Sequence, residues 1–183
     1  MSFELPDKTL TERIVEEALK EDIGIIGDIT SNLILDDSNR SEFEIKSRQK
    51  GVISGLYLAE TAFRLIDKKI SFEKFKEEGD EVEVEDILVR IRGNSISILT
   101  AERTALNFLS HMSGIASATS LMAKKIKNTN TKIMCTRKTT PNLRVFEKFA
   151  VLSGGGKNHR FGLFDGILIK DNHIALSGSI KEA

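Results

Sequence analysis

Thr136-Arg137-Lys138-Thr139-Thr140-Pro141 gathers two cations, three hydroxyls and a proline into six consecutive residues. An arginine can grip a carboxylate through paired hydrogen bonds. A lysine supplies a point charge, and hydroxyls and the free amides of a helix start add neutral donors. Such a loop suits the capture of a small anion. A second basic pair, His159-Arg160, follows Gly154-Gly155-Gly156-Lys157-Asn158. Lys170 closes the apolar run Gly166-Ile167-Leu168-Ile169, where a lysine either reaches solvent, pairs with Asp171, or meets a ligand's phosphate or carboxylate. Arg103, Asn107 and His111 step by four along one helical stripe, which is either a polar outer face or a surface offered to a ligand or a second subunit. Plain readings stand beside these. Basic residues are common in solvated loops, and the triple glycine reads as a helix end with a connector. Cys135 reads as a small buried strand residue and not as a nucleophile. No His/Cys cluster has metal-ligand spacing.

These residues need elements to position them. Leu10 to Glu21 has helical spacing of Ile14, Val15, Ala18 and Leu19, with Thr9 and Glu12 as a capping box. Phe43 to Arg48 alternates as a half-buried strand, and Gly51 to Gly55 permits a tight turn. Leu56 to Ile66 predicts a second helix with Leu58, Ala62 and Leu65 on one face. Ser71 to Leu99 reads as strands and turns, with Ile96 to Leu99 extended after a turn at Gly93-Asn94. Glu102 to Lys127 is the strongest helical pattern, and its small residues Ser113, Gly114, Ala116 and Ala118 permit close packing. Then come a strand at Lys132 to Cys135, a helix at Pro141 to Leu152 with proline in its first turn, and a strand at Gly166 to Ile169. Strand, helix, strand is βαβ grammar, and in such folds loops at strand C-termini build the site. The fold expected is α/β. An α+β open sandwich with an N-terminal helix occupies residues 1–103, and the first part of an incomplete, TIM-like α/β barrel occupies residues 104–183.

Composition narrows the partners. The 183 residues are 40% hydrophobic and 30% charged, which is globular, and no apolar run approaches the roughly 20 residues a membrane span needs. Met1 to Lys8 carries Glu4 and Asp7 and no basic cluster, so no secretory signal is expected. One cysteine rules out an intrachain disulfide and suggests a reducing, cytoplasmic setting. Net charge is zero but uneven. Ser71 to Asp86 holds eight acidic residues, read as a solvated strand face, whereas Thr131 to Lys170 holds eight basic residues against two acidic. That basic half favours a polyanionic ligand, and it lacks the interleaved aromatics that would suit nucleic acid.

Several segments together resemble the quinolinate phosphoribosyltransferases. They are Glu102-Arg103-Thr104-Ala105-Leu106-Asn107-Phe108-Leu109 with Ser113-Gly114-Ile115-Ala116, the Thr136 to Pro141 loop, Gly154 to Arg160, and Leu168-Ile169-Lys170-Asp171-Asn172-His173. Glu21-Asp22-Ile23-Gly24, Gly27-Asp28-Ile29-Thr30 and Gly51-Val52-Ile53-Ser54-Gly55 extend the likeness over nearly the whole chain.

The resemblance implies that Arg137, His159, Arg160 and Lys170 bind quinolinate, with Thr136 and Lys138 lining the same pocket. Lys138 would also lie near phosphoribosyl pyrophosphate, and Lys138 and Lys170 would be the catalytic cations. Arg103 would reach across a homodimer interface into the neighbouring site. Mg²⁺ would accompany the pyrophosphate, with its ligands expected beyond residue 183 and none within this chain. The reaction implied joins quinolinate to a phosphoribosyl group with loss of CO₂. Rivals are a nicotinate-specific or molybdenum-transport-associated relative, and a non-catalytic piece that only binds carboxylates or pairs with another chain. Lys170-Asp171-Asn172-His173 beside both basic pairs favours quinolinate over the first rival.

Overall fold

The computed structural model describes residues 4–183, and the sequence reading at Met1 to Phe3 lies outside them. The first helix, α1, is Lys8–Ile23. Its cap is Asp7, whose carboxylate accepts from the Leu10 amide at 2.8 Å, so the expected Thr9 capping box does not form. Asp is as good a cap as Thr and stands one turn-position earlier, where the orphan amides begin. A short helix, α2 (Ile29–Ile34), is capped by Asp28, which also accepts from Thr100 at 3.3 Å.

Three antiparallel strands form the main sheet. β5 (Ile87–Asn94) lies between β1 (Arg40–Lys46) and β3 (Ser71–Lys74), with Phe43 and Phe72 both opposite Ile91. A separate pair joins β2 (Gly51–Val52) to β4 (Glu81–Val82), so the glycine-flanked turn expected at Gly51 to Gly55 begins with a strand. One face of the main sheet buries Val89 and Ile91 against α3 (Leu56–Ile66), which inserts Leu58, Ala62 and Phe63, while Leu65 stays exposed. The other face carries a charge ladder, with Arg90 reaching Glu44 at 3.0 Å and Glu42 at 3.3 Å. Most of the acidic stretch is solvated as expected. Glu78 is the exception. It is half-buried and accepts from the amides of Gly55 at 2.8 Å and Tyr57 at 3.2 Å, closing the start of α3. Burial pushes its pKa up against the pull of those bonds.

The 31-residue helix α4 (Ser95–Lys125) joins the two halves of the molecule. It begins where a strand was expected at Ile96 to Leu99. Asn94 accepts from the Ser97 amide at 2.9 Å and caps the helix, and Ile98 becomes its first core residue. Alternation over four residues did not separate a strand from an opening turn. Small side chains on α4 do bring neighbours close, at Ser113 and Ala116. The Ser113 hydroxyl donates to the Ser54 carbonyl at 3.0 Å and accepts from its amide at 3.1 Å. Gly114 and Ala118 face outward. Beyond Ser120 the helix leaves the core, and Leu121 and Met122 are exposed.

After α4 the chain has less regular structure. The strand expected at Lys132 to Cys135 is reduced to one parallel bridge, Met134 to Lys157, closed by Lys157 N–H to Ile133 O at 2.8 Å and Cys135 N–H to Lys157 O at 3.0 Å. α5 (Arg144–Ser153) starts three residues after Pro141, which sits in the preceding turn and not in the helix. It buries Phe146, Phe149 and Ala150 against α4 and α3. Gly154 ends it at so close an approach to α4 that a Cβ would stand 2.3 Å from the Ala116 carbonyl oxygen, and Gly155 then turns at φ +83°. The expected strand Gly166 to Ile169 is not one. A strand needs a partner, nothing among the described residues pairs with it, and Ile167 is 95% exposed. A short helix, α6 (Asp171–Ser177), follows. Among the described residues no helix is long and apolar enough to cross a membrane.

Candidate anion site

α5 and the bridge at Met134 bring the two basic segments together. Arg137 lies two residues after the bridge strand, and Arg160 lies three residues after its partner Lys157. The loop between Thr136 and Thr140 is held by local bonds. The Lys138 amide donates to Thr136 Oγ1 at 3.1 Å, and the Thr139 amide to the Arg137 carbonyl at 3.0 Å. Lys138 and Thr136 are exposed. Arg137 is half-buried, and its Nε is buried with no hydrogen-bond partner among the described residues. A buried donor left unmade costs free energy, and in native structures it marks a ligand, water or stored strain.

Two residues of α5 brace this loop from the helix side. Arg144 donates to Thr139 Oγ1 at 3.0 Å and to the Phe161 carbonyl at 3.2 Å. Glu147, buried, accepts from the Thr140 amide at 3.2 Å and meets His111 Nε2 at 2.9 Å. Burial disfavours the charge on Glu147, but the bonds from His111 and Thr140 outweigh it and hold its pKa below the usual carboxylate range. His111, expected as part of a ligand- or partner-facing stripe, is therefore engaged with α5. It also lines, with Glu21, Asp22, Thr104, Asn107 and Phe108, a recess of about 340 Å³ between α1 and α4. Arg103 is exposed on α4 and bonds to none of the other candidate residues.

On the second segment, His159 Nδ1 accepts from the Arg160 amide at 2.7 Å, which puts the proton of the neutral ring on Nε2. Arg160 Nη1 donates to the Gly166 carbonyl at 2.8 Å. Asp165 caps the following turn, accepting from the amides of Phe161 at 2.5 Å and Gly162 at 2.8 Å, and these bonds lower its pKa. Lys170 is exposed, and its ammonium makes no ion pair with Asp171, so that pairing is not its role here. A recess of about 710 Å³ runs beside Arg160 and His173, but its wall is mostly apolar, including Leu163, Phe164, Ile167 and Leu168. It excludes Arg137, Lys138 and Lys170, so it is the groove beside the last segment and not the anion site.

Arg144, Glu147 and Lys148 were not singled out by sequence reasoning. The signal was present: charged residues at three- and four-residue spacing on the helix that directly follows the basic loop, opposite Phe146 and Phe149. Cys135 was expected to be buried among apolar groups. It is half-buried and polar-bonded instead, donating to Asn158 Oδ1 at 3.2 Å.

This geometry defines an α+β domain followed by the opening of an α/β unit, with a cationic loop cluster at their junction. Two domain models of one family match the sequence. The N-terminal domain of quinolinate phosphoribosyl transferase matches residues 28–113, and its C-terminal domain matches residues 115–183. A probable nicotinate-nucleotide pyrophosphorylase (carboxylating) of Bacillus subtilis is 40% identical over 172 residues, which is 94% of this chain and 59% of that protein. Quinolinate phosphoribosyltransferase (decarboxylating) 1b of Nicotiana tabacum is 41% identical over 93% of this chain and 48% of its own. The crystal structure of NadC from Streptococcus pyogenes superposes with a TM-score of 0.93 at 40% identity, covering 99% of this chain and 64% of that one. The chain belongs to the quinolinate phosphoribosyltransferase family. It spans about half to two thirds of the length of these relatives, and the open sandwich with an incomplete barrel is the fold it shares with them.

Proposed function

We propose that the protein transfers the phosphoribosyl group of phosphoribosyl pyrophosphate to quinolinate with decarboxylation, and that this chain carries the dicarboxylate-binding side of the site. The observation that carries the reading is Arg137. Its buried Nε lacks a partner, and it stands on a cationic loop bridged to a second segment bearing Arg160. Two arginines on two segments suit a ligand with two carboxylates. Nicotinate, with one carboxylate, would leave one of them unused.

In this reading Arg137 and Arg160 grip the carboxylates, while Thr136 and His159 Nε2–H add neutral donors. Lys138 and Lys170 supply charge where the pyridine nitrogen meets the ribose and where pyrophosphate departs. The ring nitrogen forms a bond to the ribose carbon as the carbon–oxygen bond to pyrophosphate breaks. The adjacent carboxylate then leaves as CO₂. Its electron pair remains on the ring carbon beside the cationic nitrogen and takes a proton. No covalent enzyme intermediate is required, so positioning and charge are what this chain contributes. Mg²⁺, expected with the pyrophosphate, does not fit the residues present: the loop cluster is cationic, and among the described residues no group of His, Cys, Asp or Glu could hold an ion. Arg103, exposed and unengaged, suits service to the site of a second copy of the chain in a homodimer. A single unpaired cysteine suits a reducing cytoplasm.

The test is a calorimetric titration of quinolinate and of nicotinate into the protein and into Arg160→Ala. Quinolinate should bind more tightly than nicotinate, and Arg160→Ala should lose about 1.5–3 kcal/mol of quinolinate binding, the range for a hydrogen bond to a charged group. Equal binding of the two pyridines, or an unchanged Arg160→Ala, refutes the assignment.

A further inference from the structure

Lys148 lies outside the groups assigned to the ligand, yet it is only 3% exposed. A buried ammonium is costly unless paired, and no carboxylate stands within ion-pair distance of it among the described residues. Its ammonium donates instead to two neutral acceptors. One is Cys135 Sγ at 2.9 Å, on the residue immediately before Thr136. The other is the His159 carbonyl at 3.0 Å, immediately before Arg160. Cys135 in turn donates to Asn158. The two segments that bear the candidate arginines share only a single bridge pair, Met134 to Lys157. Beyond that bridge, where the arginines stand, Lys148 is the side chain that holds one segment to the other. Its own helix is anchored in the core through Phe146, Phe149 and Ala150.

We propose that Lys148 is a positioning residue: it clamps the Cys135 and His159 segments onto α5 and so sets the spacing of Arg137 and Arg160 for a ligand with two carboxylates. The identity of that ligand rests on the reading above, whereas the clamp does not. Two bonds to neutral atoms are a poor return for burying a charge if stability alone were at stake, since an apolar side chain of the same length would fill the space more cheaply. What the ammonium adds is direction. It reaches one atom on each segment from a fixed helix.

Hydrogen exchange of the whole chain tests the clamp, using Lys148→Met, which keeps length and removes the donors, and Cys135→Ala, which removes one acceptor. In Lys148→Met the amides of Cys135 and Lys157, which close the bridge, should exchange about ten-fold faster while those of α3 and α4 keep their rates. Quinolinate binding should weaken about ten-fold and nicotinate binding much less, because only a two-point ligand reads the spacing. A general loss of stability would speed exchange everywhere and weaken both ligands alike, and that result overturns the proposal. If Lys148→Met does not fold, Cys135→Ala decides: faster exchange confined to the two segments supports the clamp, and unchanged exchange overturns it. A wild-type chain that binds no quinolinate removes the ligand reading and leaves the exchange result to decide the clamp by itself.

Discussion

Replacing Arg137 with methionine should move stability and binding in opposite directions. In the free protein the Arg137 Nε is buried without a partner, and an unmade buried donor costs about 1–3 kcal/mol. Methionine keeps most of the apolar stem and removes that donor. The rest of the guanidinium is only half-buried, so part of the gain is offset by lost contacts of its exposed portion. The net expectation is a rise in unfolding free energy of about 0.5–1 kcal/mol. Binding should fall by about 1.5–3 kcal/mol, roughly 10- to 150-fold, since the same N–H would be a charge-assisted donor to quinolinate. Urea unfolding measures the first and calorimetry with quinolinate the second. Alanine would blur the result by opening a cavity, which is why methionine is the informative replacement. A variant that is less stable and binds normally refutes the reasoning, because Arg137 would then be a structural residue whose partner lies elsewhere.

Gly154→Ala should destabilise by about 1–3 kcal/mol in urea unfolding, because its Cβ would stand 2.3 Å from the Ala116 carbonyl oxygen of a packed helix. Glu147 has a pKa held below the usual range, so its contribution to stability is present above the unfolded carboxylate value and disappears as pH falls through the folded one. The stability lost on acidification between about pH 5 and pH 3 should therefore shrink in Glu147→Gln, as read by denaturant titrations across that window; an unchanged acid slope counts against the pairing with His111 and Thr140. Mixing Arg103→Ala with Arg137→Ala protein should restore part of the catalytic activity if sites are shared between subunits, and none despite proven subunit exchange counts against sharing. Assayed as a 183-residue polypeptide, the chain should bind quinolinate yet form no nicotinate mononucleotide, since its described residues offer no metal-holding carboxylates; turnover near that of a full-length relative would overturn this.

What could be read from the sequence was local. The helix at Leu56 to Ile66 and the body of α4 were legible because a 3.6-residue period and small-residue positions depend only on neighbours along the chain. The two basic segments were legible for the same reason, as contiguous motifs in recognisable order. Tertiary structure alone decided the rest. Ile96 to Leu99 alternates well enough for a strand, and only burial of Ile98 in the core together with the Asn94 cap made it helix. Gly166 to Ile169 has the composition of a strand, but strand formation depends on a neighbour's hydrogen bonds, which no local pattern encodes. The same holds for charge. Lys148 and Glu147 look in sequence like two more solvated residues of an amphipathic helix. They are buried because the segments at Cys135, Thr140 and His159, between 7 and 13 residues away, fold over them and supply the partners. Whether a charge is solvated or enclosed is set by what packs on it, and that is settled only when the chain has closed in three dimensions.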